Sequence, residues 1–154
     1  MFIDRAKIHI ISGKGGNGAV SFRREPFVPE GGPDGGDGGD GGNIIFQADR
    51  NYRTLMDFKY KKKYQAENGQ DGMRKKRFGK KGEDLIIKVP IGTEIIEAQS
   101  NKLMVDMVED GQTFIAAKGG RGGKDVYKRQ VHSVMNLSFH TEFAQIATIM
   151  TARK

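Results

Sequence analysis

The segment Gly13-Lys-Gly15-Gly-Asn-Gly18 has the GxGxxG spacing of a dinucleotide-binding turn, and it follows a β-prone stretch, as such a turn must. What comes next argues against that chemistry. AVSFRREPFVP is β-prone and is broken by Pro26 and Pro29, so no helix N-terminus is offered to a pyrophosphate. A P-loop needs GxxxxGK[ST]. Gly123-Lys124 has Lys118 where the first glycine should stand and Asp125 where the hydroxyl should stand, and Gly13-Lys14 is followed by Gly15. The 154 residues therefore hold no seat for β- and γ-phosphates, and no catalytic residue, cofactor or metal is expected within them. GGDGGDGGN at Gly35 to Asn43 resembles one calcium-binding nonapeptide, with Asp40 at the ligand position, but it occurs once and a β-helix needs stacked copies. Asp34, Asp37 and Asp40 are expected in a solvated loop. His9, His132 and His140 lack metal-ligand spacing and nearby paired carboxylates.

The basic residues are concentrated. Lys59 to Lys81 carries ten Lys and Arg against Glu67 and Asp71, so it holds +8 in a chain whose net charge is +7. Such a patch points to a polyanion. Phe58, Tyr60, Tyr64 and Phe78 are interleaved with the cations, which suits phosphate contacts and base stacking, although Phe58 and Tyr60 equally suit core anchors. Arg74-Lys-Lys-Arg77, followed by Lys80 and Lys81, places six cations in eight residues, an arrangement that repels itself unless an anion is present.

The elements that position these residues are β-strands. Ile and Val number 14 and 8 against four Leu, and β-branched side chains favour the pleated sheet. Strands are predicted over 6–12, 19–22, 43–48, 84–89 and 93–97, with a hairpin of 102–109 and 112–118 turned by Asp110-Gly111. Tyr52 to Tyr64 reads as a short helix or an irregular segment. With no Cys, no apolar run long enough to span a bilayer and charges at Asp4, Arg5 and Lys7 near the N-terminus, a cytoplasmic protein is expected.

Glycine is about 14% of the chain, twice the usual share. In EGGPDGGDGGDGGN, Glu30 to Asn43, it recurs with period three, the repeat of polyproline II. Side chains at every third position would prevent close packing of such chains, and glycine permits it. SGKGGNG at Ser12 to Gly18 and KGGRGG at Lys118 to Gly123 are the expected partners in one subdomain; disordered linkers are the alternative.

The motifs GKGGNGAVSFRREPFVPEGGPDGGDGGDGGN, RTLMDFKYKKKY, GKKGEDLIIKVPIGT and AAKGGRGGK are long and ordered, and over about residues 1–124 the chain resembles the N-terminal glycine-rich domain of the Obg family of ribosome-associated GTPases. The resemblance implies a mainly β fold: a barrel-like β base carrying a bundle of glycine-rich polyproline II helices, with loops at the far tip reaching the large ribosomal subunit near its peptidyl-transferase region. By motif, the RNA-contacting residues would be Arg23 and Arg24 in SFRREPFVP and Arg74, Lys75, Lys76, Arg77, Lys80 and Lys81 in GMRKKRFGKK. The glycines would be scaffold. In the family a GTPase domain follows and uses GTP and magnesium as a switch in ribosome assembly and stress response. These 154 residues carry no such domain. After Lys124 the text departs from the family pattern, so residues 125–154 are expected to be an atypical tail and the fold incomplete at that end. There Phe139, Phe143, Ile146 and Met150 have helical spacing.

The expected function is a monomeric, non-catalytic module that binds large-subunit rRNA. The competing reading is a rigid glycine-rich spacer whose basic loop binds an acidic protein.

Overall fold

The structure is a computed structural model that describes residues 3–17, 36–73, 78–123 and 130–140. Strands β1 (Ile3–Ile11), β2 (Ile44–Ala48), β3 (Lys63–Gln65), β4 (Leu85–Val89), β5 (Thr93–Glu97), β6 (Lys102–Met107), β7 (Thr113–Ala117) and β8 (His132–His140) are joined by one short helix, α1 (Met56–Tyr60). They form a five-stranded sheet in the order β3-β1-β8-β5-β6 and a three-stranded sheet in the order β4-β2-β7. Only β1–β3 and β2–β4 are parallel; every other pair is antiparallel.

Alternation explains the layers. Ile8 and Ile10 of β1, Phe46 of β2, Ile95 of β5 and Met135, Leu137 and Phe139 of β8 all turn to one shared core, and apart from the buried Ile11 and Ser138 their neighbours along the strands are exposed or half-exposed. The mainly β expectation holds, with the base built as two sheets around a common core rather than as a closed barrel.

Two local expectations are overturned. Asp110-Gly111 does turn the chain, with Gly111 at φ 82°, but β6 and β7 do not pair: β6 lies on β5 and β7 on β2. The N–H groups of Val108 and Glu109, which a tight hairpin would send across to β7, donate instead to the side-chain Oε1 of Gln112 at 2.8 and 3.1 Å. The chain changes sheets there. The helical spacing around Phe139 is also misleading, because residues 132–140 are strand β8, seated between β1 and β5. Met135, Leu137 and Phe139 have the two-residue period that counts. The expected atypical tail thus supplies a central strand. Phe143, Ile146 and Met150, like the strand expected over 19–22, lie outside the described residues.

Among the described residues, five arms extend from one end of this base, residues 12–17, 36–43, 66–73, 78–84 and 118–123, held by backbone hydrogen bonds from one arm to another. Gly16 donates to Gly39 and Gly39 to Gln70; Gly13 donates to Gly42, Gly42 to Glu67, Gly82 to Asp40 and Gly41 to Gly120. Donation across rather than along the chain is what polyproline II geometry requires, since it has no internal hydrogen bonds. The glycine segments are packed, not linkers, and two of the arms, 66–73 and 78–84, were not among those expected. Asp40 is likewise part of the scaffold, accepting from Gly122 N–H at 2.8 Å.

At Gly38 a Cβ would be driven into the backbone carbonyl of Gly16, which cannot rotate aside. Gly38→Ala should therefore cost about 3 kcal/mol, the upper end of overpacking. Gly111→Ala, with open space around it and only its positive φ to oppose it, should cost about 1 kcal/mol. Thermal melts of both variants test this; a Gly38→Ala variant that melts with the parent contradicts the packed bundle.

Helix α1 is fixed to the base by Asp4 of β1. One carboxylate oxygen accepts from Leu55 N–H at 2.8 Å and Thr54 Oγ1 at 3.3 Å, and the other meets Lys59 Nζ at 2.8 Å, while Leu55 and Phe58 enter the core. Burial pushes the Asp4 carboxyl upward, but these donors and the Lys59 charge outweigh it, and the group titrates below its usual range. A depressed folded-state value gives stability that is present above the unfolded pKa and lost as pH falls through the folded one. Asp4→Asn should accordingly cost about 1–2 kcal/mol at pH 7, with the difference from the parent shrinking below about pH 4. Denaturant titrations of both proteins at pH 7 and pH 3 measure it.

Candidate nucleic-acid interface

The arms end together. At the end remote from the sheets, Gly72 donates to the carbonyl of Asn17, Gly36 to Met73 and Gly79 to Asp37, and Asn17 bridges Gly123. The chain positions flanking two basic segments, residues 17 and 36 on either side of Arg23 and Arg24, and residues 73 and 78 on either side of Arg74 to Arg77, are thereby gathered at one place. Those six residues, Arg23, Arg24, Arg74, Lys75, Lys76 and Arg77, themselves lie outside the described residues. Lys80 and Lys81 are described and exposed, on the returning arm.

The end is held by more than glycine. Asp71 Oδ1 accepts from Asn17 N–H at 2.7 Å there; nearer the sheets Asn68 Oδ1 accepts from Lys14 N–H at 2.8 Å, and where the arms leave the sheets Asn43 Oδ1 accepts from Gly119 N–H at 2.7 Å. These short side chains satisfy amides that the glycine contacts leave over. Of the two acidic residues of the basic segment, Asp71 therefore does not simply dilute its charge, since its carboxylate is a structural acceptor.

The aromatic residues separate into two roles. Phe58 is 5% exposed and packs against Tyr64, with ring centroids 5.8 Å apart, so both are core anchors. Tyr60 is 83% exposed and Phe78 74%, and Met73, 63% exposed, stands with Phe78 across the basic segment 74–77. An exposed aromatic ring and thioether, on either side of four cations in the sequence, are groups suited to stacking on nucleobases. Met73 was missed in the sequence, where an isolated Met beside glycine carries no signal. The arms 66–73 and 78–84 were missed too, though Gly69 and Gly72, and Gly79 and Gly82, repeat the period of three.

The five-stranded sheet bears a cavity of about 570 Å³ on its outer face, where Ser138, His140 and Glu94 meet. His140 Nε2 is 3.4 Å from Glu94 Oε2 and 3.5 Å from Ser138 Oγ. One ring nitrogen faces both groups, whereas a nucleophilic relay needs the acid and the hydroxyl on opposite nitrogens. Asp106 in the next strand is raised by burial and by Glu94, against an opposing pull from His140. Among the described residues no group of three or more His, Asp or Glu is placed to hold a metal ion, and no helix is long and apolar enough to cross a membrane.

The GTP1/OBG family model matches residues 3–145. The chain is 59% identical over 127 residues to the GTPase Obg of Clostridium novyi (strain NT), covering 82% of this chain and 30% of that protein. Identity to the GTPase Obg of Clostridium botulinum (strain Eklund 17B / Type B) is 62% over 124 residues, and to that of Persephonella marina (strain DSM 14350 / EX-H1) 55% over 123. Each alignment covers 80% of this chain, and 29% and 36% of the respective relatives. The chain thus spans about 30% of the length of most of these relatives. With a match across nearly all of its described strands and arms, this chain belongs to the GTP1/OBG family.

Proposed function

We propose that this chain is a ribosome-binding module of an Obg-type protein, engaging large-subunit rRNA with the remote end of its glycine arms. One observation carries the reading: packed glycine arms bring together the flanks of two basic segments and leave Phe78, Met73, Lys80 and Lys81 exposed beside them. A rigid projection with cations at its end suits insertion into a crevice lined by phosphate, because little conformational entropy is lost on binding. Arg23, Arg24, Arg74, Lys75, Lys76, Arg77, Lys80 and Lys81 are the proposed contacts. The glycines act only through the geometry they permit.

The chemistry within these 154 residues is binding. No P-loop occurs in them, and GTP with magnesium would be used by the part of the relatives' length that this chain does not span. On this reading GTP binding elsewhere would control when the module is presented to an assembling ribosome, in the cytoplasm. The module itself acts as a monomer.

Neutralising Arg74, Lys75, Lys76 and Arg77 to Gln tests the contact. Sedimentation with purified large subunits over a salt series should show weaker binding and a salt slope reduced by up to about four, at about one per lost phosphate contact. Thermal stability should change little, because exposed like charges contribute little to folding. A folded variant with the parent's affinity and slope contradicts the reading and favours a spacer with a different partner.

A further inference from the structure

The basic segment that is continuous in sequence is divided in space. Lys59, Lys61, Lys62 and Lys63 sit at α1 and β3, on the sheet end of the molecule, whereas Lys80 and Lys81 belong to an arm. From Lys63 to Met73 the chain runs ten residues through β3 and one extended arm, or roughly 30 Å at about 3.1 to 3.3 Å per residue. There are two basic surfaces.

At the sheet end the lysines divide again. Lys59 is tied to Asp4 at 2.8 Å, and Lys61 Nζ lies 4.9 Å from the centroid of the Tyr64 ring, so both are used within the fold. Lys62 and Lys63 are exposed, and Lys63 is in register with His9 of β1. On β1, Arg5, Lys7 and His9 are exposed between the buried or half-buried Ala6, Ile8 and Ile10, so they share the outer face about 6.6 Å apart. Among the described residues no ion pair includes Arg5, Lys7, Lys62 or Lys63.

The neighbouring strand leaves this charge intact. Ser138 and Asn136 of β8 stand in register with Arg5 and Lys7, and both are neutral. The first carboxylate across the sheet is Glu94 of β5, in register with Ser138 and followed by Asp106 of β6. Two strand spacings, about 10 Å, separate the β1 backbone from that of β5; Arg5, Lys7 and Glu94 line one cavity on this face, but no ion pair among the described residues joins them. Glu94 faces His140. The outer sheet face is thus basic on its β3-β1 half and acidic on its β5-β6 half.

We propose that the outer face of β1 and β3, through Arg5, Lys7 and Lys63, with the exposed Lys62 that immediately precedes β3, is a second rRNA-contacting surface that meets phosphates while the remote end of the arms is engaged. It rests on the ribosome-binding reading above and extends it. The arms make the two surfaces one rigid body, because β1 passes directly into the arm of residues 12–17 and β3 into that of residues 66–73. A partner that touches both must carry negative charge across roughly 30 Å, which the folded RNA of a large subunit does. Two linked contacts add avidity without any further contact at either.

The test uses the full 154-residue chain and purified large subunits. Lys7→Gln/Lys62→Gln/Lys63→Gln should bind several-fold more weakly, with a salt slope reduced by up to about three, and its effect should add to that of neutralising Arg74 to Arg77. Parent-like affinity and slope in this variant, with the parent binding normally, overturns the second surface and leaves the first standing. Failure of the parent itself to bind overturns the ribosome reading instead. A measurement on the unaltered chain covers the case of a misfolded variant. Acetylation of Lys7, Lys62 and Lys63 should fall several-fold when subunits are bound, while that of exposed Lys102 on β6 should not change. Unchanged reactivity at the three lysines, equal protection at Lys102, or protection that survives nuclease digestion of the rRNA each overturns the proposal.

Discussion

A backbone carbonyl from one arm occupies the space where a neighbouring arm would carry a Cβ. This contact recurs through the bundle, at Gly13 against Glu67, Gly16 against Gln70, Gly38 against Gly16, Gly41 against Gly13 and Gly122 against Gly38. Beyond Ala66 at the foot of one arm, the arms bury no apolar side chain and cannot be held by the hydrophobic effect, so cohesion has to come from hydrogen bonds and close dispersion contacts between main chains. Both need separations that only glycine allows. The remaining positions of the repeat are free to face solvent, and Lys14, Asp40, Lys80 and Arg121 do so.

That constraint links the base to the interface. Each arm continues a strand, β1, β3 and β7 outward, β2 and β4 on the return, so the register fixed in the hydrophobic core is carried to the far end. Asx side chains complete it, with bonds joining residues 54 to 82 positions apart. Such contacts close late and at high entropic cost, which predicts slow folding for the bundle relative to local structure. The return is stiffness: the chain positions that flank both basic segments are held together at the end of a scaffold made from main chain.

Much of this was legible in the sequence, and the rest was hidden for physical reasons. Strands β2, β4 and β5 were found within a residue of their ends because their alternation is undisturbed by other demands. The period-three glycines of Gly35 to Gly42 announced an arm, but Gly69-Gln-Asp-Gly72 and Gly79-Lys-Lys-Gly82 supply only two glycines each among polar residues, where charge draws the eye first. The Asp110-Gly111 turn was read correctly as a turn and wrongly as a hairpin, since local φ preference says nothing about which sheet the next strand joins. Phe139 satisfied a helical pattern with residues further on and a strand pattern with Met135 and Leu137; tertiary pairing with β1 and β5 decided for the strand. Of the basic segment, the run of cations is visible in the sequence. That Lys62 and Lys63 lie at the sheet end, and Lys80 and Lys81 on an arm, required the path of the arms.

Amide hydrogen exchange at single-residue resolution tests the central claim most directly. If the arms are locked by main-chain contacts, the amides of Gly39, Gly42, Gly69, Gly72 and Gly82 should exchange with protection approaching that of core-strand amides such as Ile8 and Phe46. Exchange of these glycines at the rate of an unstructured chain, with the strands still protected, would contradict the account.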